Sequence, residues 1–351
     1  MAFYPSVFSP LDTDHNRRGA NSSSAVPVIM QHFVAYCQGA AGIVPPAETQ
    51  RQDPKVKTDD SAAATTRWLT FYDLQPDKQH GILNLAFDGG RNGGAVDSTQ
   101  CVKGVVSNTS RLIQAWEQHQ MPGLLDLECL GGDMGHGLYL RNASFECPSC
   151  PACSVCPIGS AVYLNPHWKQ LLTTVLTSAM SYLKIGAIRG VSLGDEPCCG
   201  GLAVSNLSAV ADFVKDMIAH TGAFIYVNEC GRTFMGLYNN GTDGMYPGMM
   251  TKENKVPASI DIISADTYTL PQFEANMDRR LYNGWSEFHG GGVYPALWPH
   301  QRVFVVPGLF ADATKPRNES ETLLLTCLEG FWQWVQNDTK VVGINAWHWN
   351  T

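Results

Sequence analysis

No stretch of this sequence approaches the roughly 18 to 20 consecutive apolar residues that would span a bilayer. Its first residues, MAFYPSVFSPLDTDHNRRG, have neither the basic start nor the unbroken apolar core of a secretory signal. Basic residues are in deficit: 24 Lys and Arg stand against 32 Asp and Glu, for a net charge of −8. A phosphate-binding surface needs clustered cations whose binding releases counterions, so nucleic acid is not an expected partner. The fingerprints G-x-G-x-x-G, G-x-x-x-x-G-K-[ST] and H-E-x-x-H are absent, which removes most support for dinucleotide, P-loop and zinc-protease chemistry. Low-complexity sequence is missing too. With 351 residues and 44% hydrophobic content, the chain can bury a large core.

Cysteine, by contrast, is plentiful, at 11 residues, and so many thiols suggest an oxidising compartment. N-x-S/T acceptors at Asn21, Asn108, Asn142, Asn206, Asn240, Asn318 and Asn337 point the same way, to a secreted or lumenal glycoprotein whose signal lies outside this sequence. Four cysteines, Cys147, Cys150, Cys153 and Cys156, form the ladder CPSCPACSVCP. Its last interval is one residue short of the ferredoxin run, and structural zinc prefers two separated pairs. Disulfides in a surface loop are the expectation, with a metal as the alternative. Cys198 and Cys199 are expected to bridge outward to different loops, since a vicinal disulfide strains the backbone.

Short apolar runs recur along the chain: Gly81 to Gly90, Gly123 to Gly132, Ile188 to Pro197, Ala223 to Gly231, Ser259 to Tyr268, Arg302 to Phe310 and Val341 to Trp349. Runs of this length suit strands buried on both faces. An eighth is sought at Val26 to Tyr36, and the polar region from Val44 to Trp68 reads as surface. Helical periodicity falls between the runs, over Thr109 to Gln120, Asn165 to Gly186, Leu207 to Gly222 and Glu319 to Asp338. Asn165 reads as a cap, with Pro166 in the first turn. About eight strand–helix repeats predict an α/β fold, a (β/α)8 barrel of parallel strands, as a single domain over residues 1–351 with an irregular N-terminal region and a long Cys-rich loop near 130–162. An open doubly wound sheet is the alternative.

In such a barrel the C-terminal strand ends converge on one mouth. Those ends read Asp88, Glu128, Asp195 with Glu196, Glu229, Asp266 with Tyr268, then Trp347 and His348, and Trp298 is a further rim candidate. A single acid in such a place is commonly a solvated loop residue or a helix cap. Five successive acidic strand ends suit glycosidic cleavage, which needs one carboxyl kept protonated and another ionised. Glu196, Asp195, Glu229 and Asp266 are the catalytic candidates. Asp88, Glu128, Tyr268, Trp298, Trp347 and His348 are the substrate-binding ones, with aromatic faces stacking on sugar rings. His136 with Asp133, and His289, are weak as metal ligands, so neither a metal nor a cofactor is expected, and the expected partner is a carbohydrate or glycoconjugate.

The motif GDEP, Gly194 to Pro197, resembles the strand-four motif of (β/α)8 glycoside hydrolases. Barrels of the retaining clan carry Asn-Glu-Pro there, whereas substrate-assisted N-acetylhexosaminidases carry an Asp-Glu pair. The resemblance implies Glu196 as general acid and Asp195 as the group orienting a substrate acetamido. DIISADTY and GINAWHW are similar to the sixth and eighth strands of such barrels. One departure is plain: VFVVPGLF has no acid where the retaining clan places its nucleophile. Two rivals follow. One is a carbohydrate-binding module without catalysis; the other is a serine hydrolase using Ser192 in G-x-S-x-G, with His348 or His300 as base.

Overall fold

The computed structural model describes residues 68–72, 86–88, 98–127, 138–141, 162–198, 201–234, 255–266, 282–283, 292–309 and 317–348. Its strands are β1 (Trp68–Tyr72), β2 (Ala86–Asp88), β3 (Gly123–Asp126), β4 (Tyr139–Arg141), β5 (Val162–Leu164), β6 (Ile188–Asp195), β7 (Phe224–Cys230), β8 (Ile262–Asp266), β9 (Arg302–Val305), β10 (Gly308–Leu309) and β11 (Val341–His348). The helices are α1 (Ser98–His119), α2 (Trp168–Lys184), α3 (Val204–Ile218), α4 (Val293–Ala296) and α5 (Arg317–Asn337). No helix among the described residues is long and apolar enough to cross a membrane.

The main sheet runs β1-β11-β9-β8-β7-β6-β3-β2, and every neighbouring pair in it is parallel. The first described strand therefore lies beside the last. The remaining chain-order neighbours, β1 and β2, sit at the two ends of this path and lie close to each other in space, so the sheet is strongly curled. Along this path sequence order and sheet order agree, as expected when each crossover carries a strand to its immediate neighbour; β10 pairs with β11 off the path. A separate antiparallel pair, β4 with β5, stands off the main sheet.

Two helices show why the outer layer forms. In α2 the buried residues are Leu172, Val175, Leu176, Ala179 and Leu183, and in α3 the same spacing recurs at Leu207, Val210, Ala211, Val214 and Ile218. Both stripes occupy one helical face. They pack with Val191, Leu193, Ile225, Val227, Ile263 and Val305 in one core between sheet and helices. The opposite, inner face of the sheet holds a second cluster of Leu124, Tyr226, Ile262, Phe304 and Val342. Alternation along each strand thus sorts side chains into a helix face and an inner face.

Several sequence expectations need correction. The first described strand is Trp68–Tyr72, which starts at the last residue of the region expected to be polar surface; Val26 to Tyr36 lies outside the described residues, as does the cysteine ladder. Helix α1 starts at Ser98 rather than Thr109. Helix α2 starts at Trp168, because Asn165 Oδ1 accepts the His167 N–H at 2.9 Å in a turn that precedes the helix, leaving Pro166 outside. The run from Arg302 splits into β9 and β10, since Pro307 between them has no N–H for a ladder.

Where β8 and β9 part, a tyrosine takes over their bonding. Their register ends at Ile263 opposite Val303. Beyond it the Tyr282 hydroxyl accepts the Ala265 N–H at 2.9 Å and donates to the Phe304 carbonyl at 2.9 Å. The ring is fully buried and meets Trp334 edge-on at 5.0 Å. Tyr282→Phe keeps this packing but strips partners from both backbone groups. It is expected to destabilise the fold by about 1–3 kcal/mol, the cost of leaving buried polar groups unpaired, as measured by urea unfolding. An unchanged midpoint and slope would show that the strands rejoin without the hydroxyl.

Candidate active site

The inner face of the sheet changes character along the strands. Its first tier is apolar: Leu124, Ile262, Phe304 and Val342, with Phe224 packed alongside. Toward the C-terminal ends it becomes polar, with Asp126, Ser192, Asn228, Ser264 and Asn345 all buried. Polar groups at such depth are tolerated when they bond to one another.

Strand β6 delivers the acid pair through a bulge. Ser192 stands opposite Tyr226, and Asp195 opposite Asn228, so β6 spends one residue more than β7 between these points. Gly194 absorbs the irregularity at φ 122°, a conformation that side chains disfavour. Because side chains alternate, the extra residue reverses the face on which the next one lands. Leu193 packs on the helix side, while Asp195 is returned to the inner face, where Asn228 Nδ2 donates to its Oδ1 at 2.6 Å. Glu196 follows at φ 50°, with its N–H on the Asn228 carbonyl at 2.9 Å. A non-glycine residue held in this region is strained, and such strain gathers at functional sites. Both acids are half-buried.

Asn228 is itself held from below. The Ser264 hydroxyl donates to Asn228 Oδ1, the Tyr226 and Ser264 hydroxyls are 2.7 Å apart, and Asn345 Nδ2 donates to the Tyr226 oxygen at 2.9 Å. Four strands, β6, β7, β8 and β11, thereby share one hydrogen-bonded path that ends at Asp195.

Glu229, the neighbour of Asn228, lies on the other face. It is in register with Ala265, a member of the helix-side core, it is fully buried, and its Oε1 accepts the Cys198 N–H at 2.8 Å. The catalytic expectation for Glu229 is therefore corrected: two residues past Val227 it keeps that residue's face, and it braces the turn carrying Glu196 and Pro197. Cys198 is a free, buried thiol rather than an outward bridge. Burial first, then the charge of Glu229 and its hydrogen bond, push the Cys198 thiol well above its ordinary range. Burial likewise raises the nearby Tyr139 phenol. The thiolate is the reactive form, so Cys198 is expected to escape iodoacetamide at pH 8 in the folded protein and to react fully in guanidinium. Peptide mass spectrometry reads the difference; native labelling at the rate of a free thiol would contradict this burial.

No protein-family model matches this sequence, and no curated protein matches it. Solved structures do. A GH18 chitinase from Pseudoalteromonas aurantia aligns at 11% identity and TM-score 0.39, over 81% of this chain and 93% of that one. An endo-beta-1,4-glucanase from Xanthomonas axonopodis pv. citri aligns at 14% identity and TM-score 0.40, over 76% and 75%. A GH113 beta-mannanase from Alicyclobacillus acidocaldarius aligns at 10% and 0.36, over 71% and 67%. These three neighbours are glycoside hydrolases. Likeness at this level assigns no chemistry, which has to come from the residues themselves.

Of the residues singled out from the sequence, Asp195 and Glu196 are brought to the polar end of the inner face. Asp266 closes β8 opposite Cys230, and Trp347 and His348 close β11 beside Gly308 and Leu309. Asp88 ends β2 in register with Leu125. Glu128 and Tyr268 lie outside the described residues. Trp298 is corrected: it precedes β9 at the N-terminal end of the sheet, where its indole donates to the Val256 carbonyl at 2.9 Å. His300 shares that end, bonding the Ala258 carbonyl at 2.9 Å. Ser192 is buried inside β6, not on a strand-to-helix turn, so Ser192 with His300 makes no hydrolase pair. Sequence reading missed Asp126, Asn228, Ser264 and Asn345. The period-2 pattern of GLLD places Asp126 with Leu124 on the inner face, a signal that was available. Among the described residues no group of three His, Cys, Asp or Glu could hold a metal.

Proposed function

We propose that this chain is a glycoside hydrolase built on a (β/α)8 barrel closed between β1 and β2, with Glu196 as general acid and Asp195 as its partner. The observation that carries the reading is the bulge at Gly194, which turns Asp195 onto the polar inner face to accept from Asn228 and sets Glu196 beside it at the strand end. Protonated Glu196 donates to the glycosidic oxygen as the C–O bond breaks, and positive charge develops on the sugar ring. Glu229 faces the helices and VFVVPGLF contains no acid, which favours the substrate's own 2-acetamido oxygen as the nucleophile over a carboxylate of Asp266 or Glu128. The acetamido oxygen attacks the anomeric carbon while Asp195 holds the amide N–H and steadies its charge. Water then opens the cyclised sugar, with ionised Glu196 taking its proton. The N-x-S/T acceptors support a secreted or lumenal setting, where glycoconjugates are the available substrates.

The test is a panel of 4-nitrophenyl glycosides, with and without the 2-acetamido group, alongside a thiazoline analogue of the cyclised sugar. Turnover confined to acetamido sugars and blocked by the thiazoline is expected. Equal turnover of plain glycosides would exclude substrate assistance. Sugar binding with no turnover of any substrate would make the protein a carbohydrate-binding module.

A further inference from the structure

The hydrogen-bonded path to Asp195 has a direction. Asn228 Oδ1 can only accept, so the single Ser264 proton goes to it. Ser264 then has only lone pairs to offer Tyr226, and the Tyr226 proton must point at Ser264. Tyr226 in turn accepts from Asn345 Nδ2, whose own Oδ1 is buried with no hydrogen-bond partner among the described residues. Every donor on the path from Asn345 through Tyr226, Ser264 and Asn228 thus faces toward Asp195, and none faces back. Bonds aligned in this way polarise one another.

From this we infer that Asn228 and Ser264 are positioning residues for catalysis: Ser264 locks the Asn228 amide so that its NH2 faces Asp195 and fixes the orientation of that carboxylate at the strand end. This rests on the glycosidase reading above and adds to it the residues that set the Asp195 geometry. An amide is nearly symmetric in shape, so packing alone does not choose between its two orientations; the Ser264 hydroxyl does, because it already accepts from Tyr226 and has its proton to give to Oδ1. Without Ser264 the amide can turn its oxygen toward Asp195, and two acceptors then meet.

The experiment compares Ser264→Ala, Ser264→Thr, Asn228→Ala and Tyr226→Phe with wild type on an acetamido glycoside. Asn228→Ala is expected to lower kcat most, Ser264→Ala by about 10- to 100-fold, which is roughly 1.4 to 2.7 kcal/mol of barrier, and Tyr226→Phe least, with KM moving little. Ser264→Thr, which keeps the hydroxyl, is expected to restore most of the loss. Thiazoline affinity should fall in step with kcat/KM, since both report the cyclised geometry that Asp195 holds. If Ser264→Ala lowers the unfolding midpoint but leaves kcat and thiazoline affinity at wild-type values, Ser264 is structural and the inference is wrong. If threonine fails to rescue kcat while folding normally, the hydroxyl is not the active element and the inference is equally overturned. If wild type turns over no glycoside, the glycosidase reading itself falls and the positioning role falls with it.

Discussion

Glu196→Gln is expected to lower kcat by roughly 10²- to 10⁴-fold on a glycoside with an alkoxide-like leaving group, the range typical of a lost general acid. The loss should be far smaller on 4-nitrophenyl or 2,4-dinitrophenyl glycosides, whose leaving groups depart without a proton. That dependence on leaving group separates an acid from a residue that merely holds the site together. Gln keeps the shape of Glu, and the left-handed backbone at φ 50° is set by the turn rather than by the carboxyl. Stability should therefore change by about 1 kcal/mol or less, far below the barrier lost in kcat. Asp195→Asn offers the contrast. Its loss should be uniform across leaving groups, because the orienting partner acts on the sugar and not on the departing oxygen. Equal losses for Glu196→Gln on both substrate classes would remove Glu196 from the acid role.

Much of this is legible in the sequence, and the reason is physical. Strands buried on both faces must be continuously apolar, so IRGVSL and AFIYV announce themselves, and their C-terminal ends carry the acids. Helices α2 and α3 announce themselves through identical buried stripes. What strand-end position does not specify is the face. Asp195 ends β6 and Glu229 stands one residue before the end of β7, yet one turns to the inner face and the other to the helices. Plain alternation from Ile225 and Val227 predicts the side taken by Glu229; plain alternation from Val191 and Leu193 predicts the wrong side for Asp195. The difference lies in a bulge that GVSLGDEP does not advertise, since glycine serves many purposes in a strand. Trp298 was misjudged for a simpler reason: it precedes its strand, so it belongs to the opposite end of the sheet. The short strand at Trp68–Tyr72 was overlooked because the residues before it are polar. Asn228 and Ser264 drew no attention because their importance lies in whom they touch, and pairing across strands is not written in one strand's sequence.

Gly194→Ala is expected to abolish most activity while costing little stability, and this tests the bulge directly. Among the described residues an added Cβ at φ 122° meets only Tyr139 Cε2, at an ordinary 3.8 Å, so the obstacle there is the backbone conformation. Holding Ala there costs about 1–3 kcal/mol. The cheaper response is to relax the bulge, and any return toward regular alternation swings Asp195 away from Asn228 and drags Glu196 with it. The expected kcat is then close to that of Asp195→Ala. Gly222 supplies the control: it also has positive φ, 73°, with nothing within 4 Å of an added Cβ, but it precedes β7 at the far end of the sheet from Asp195. Gly222→Ala should cost about 1 kcal/mol or somewhat more, through backbone strain, and leave kcat intact. The pair is read by kcat/KM together with the urea midpoint. If Gly194→Ala destabilises like Gly222→Ala but keeps full activity, the strand end does not need its extra residue to aim Asp195, and the two-acid site must be assembled some other way.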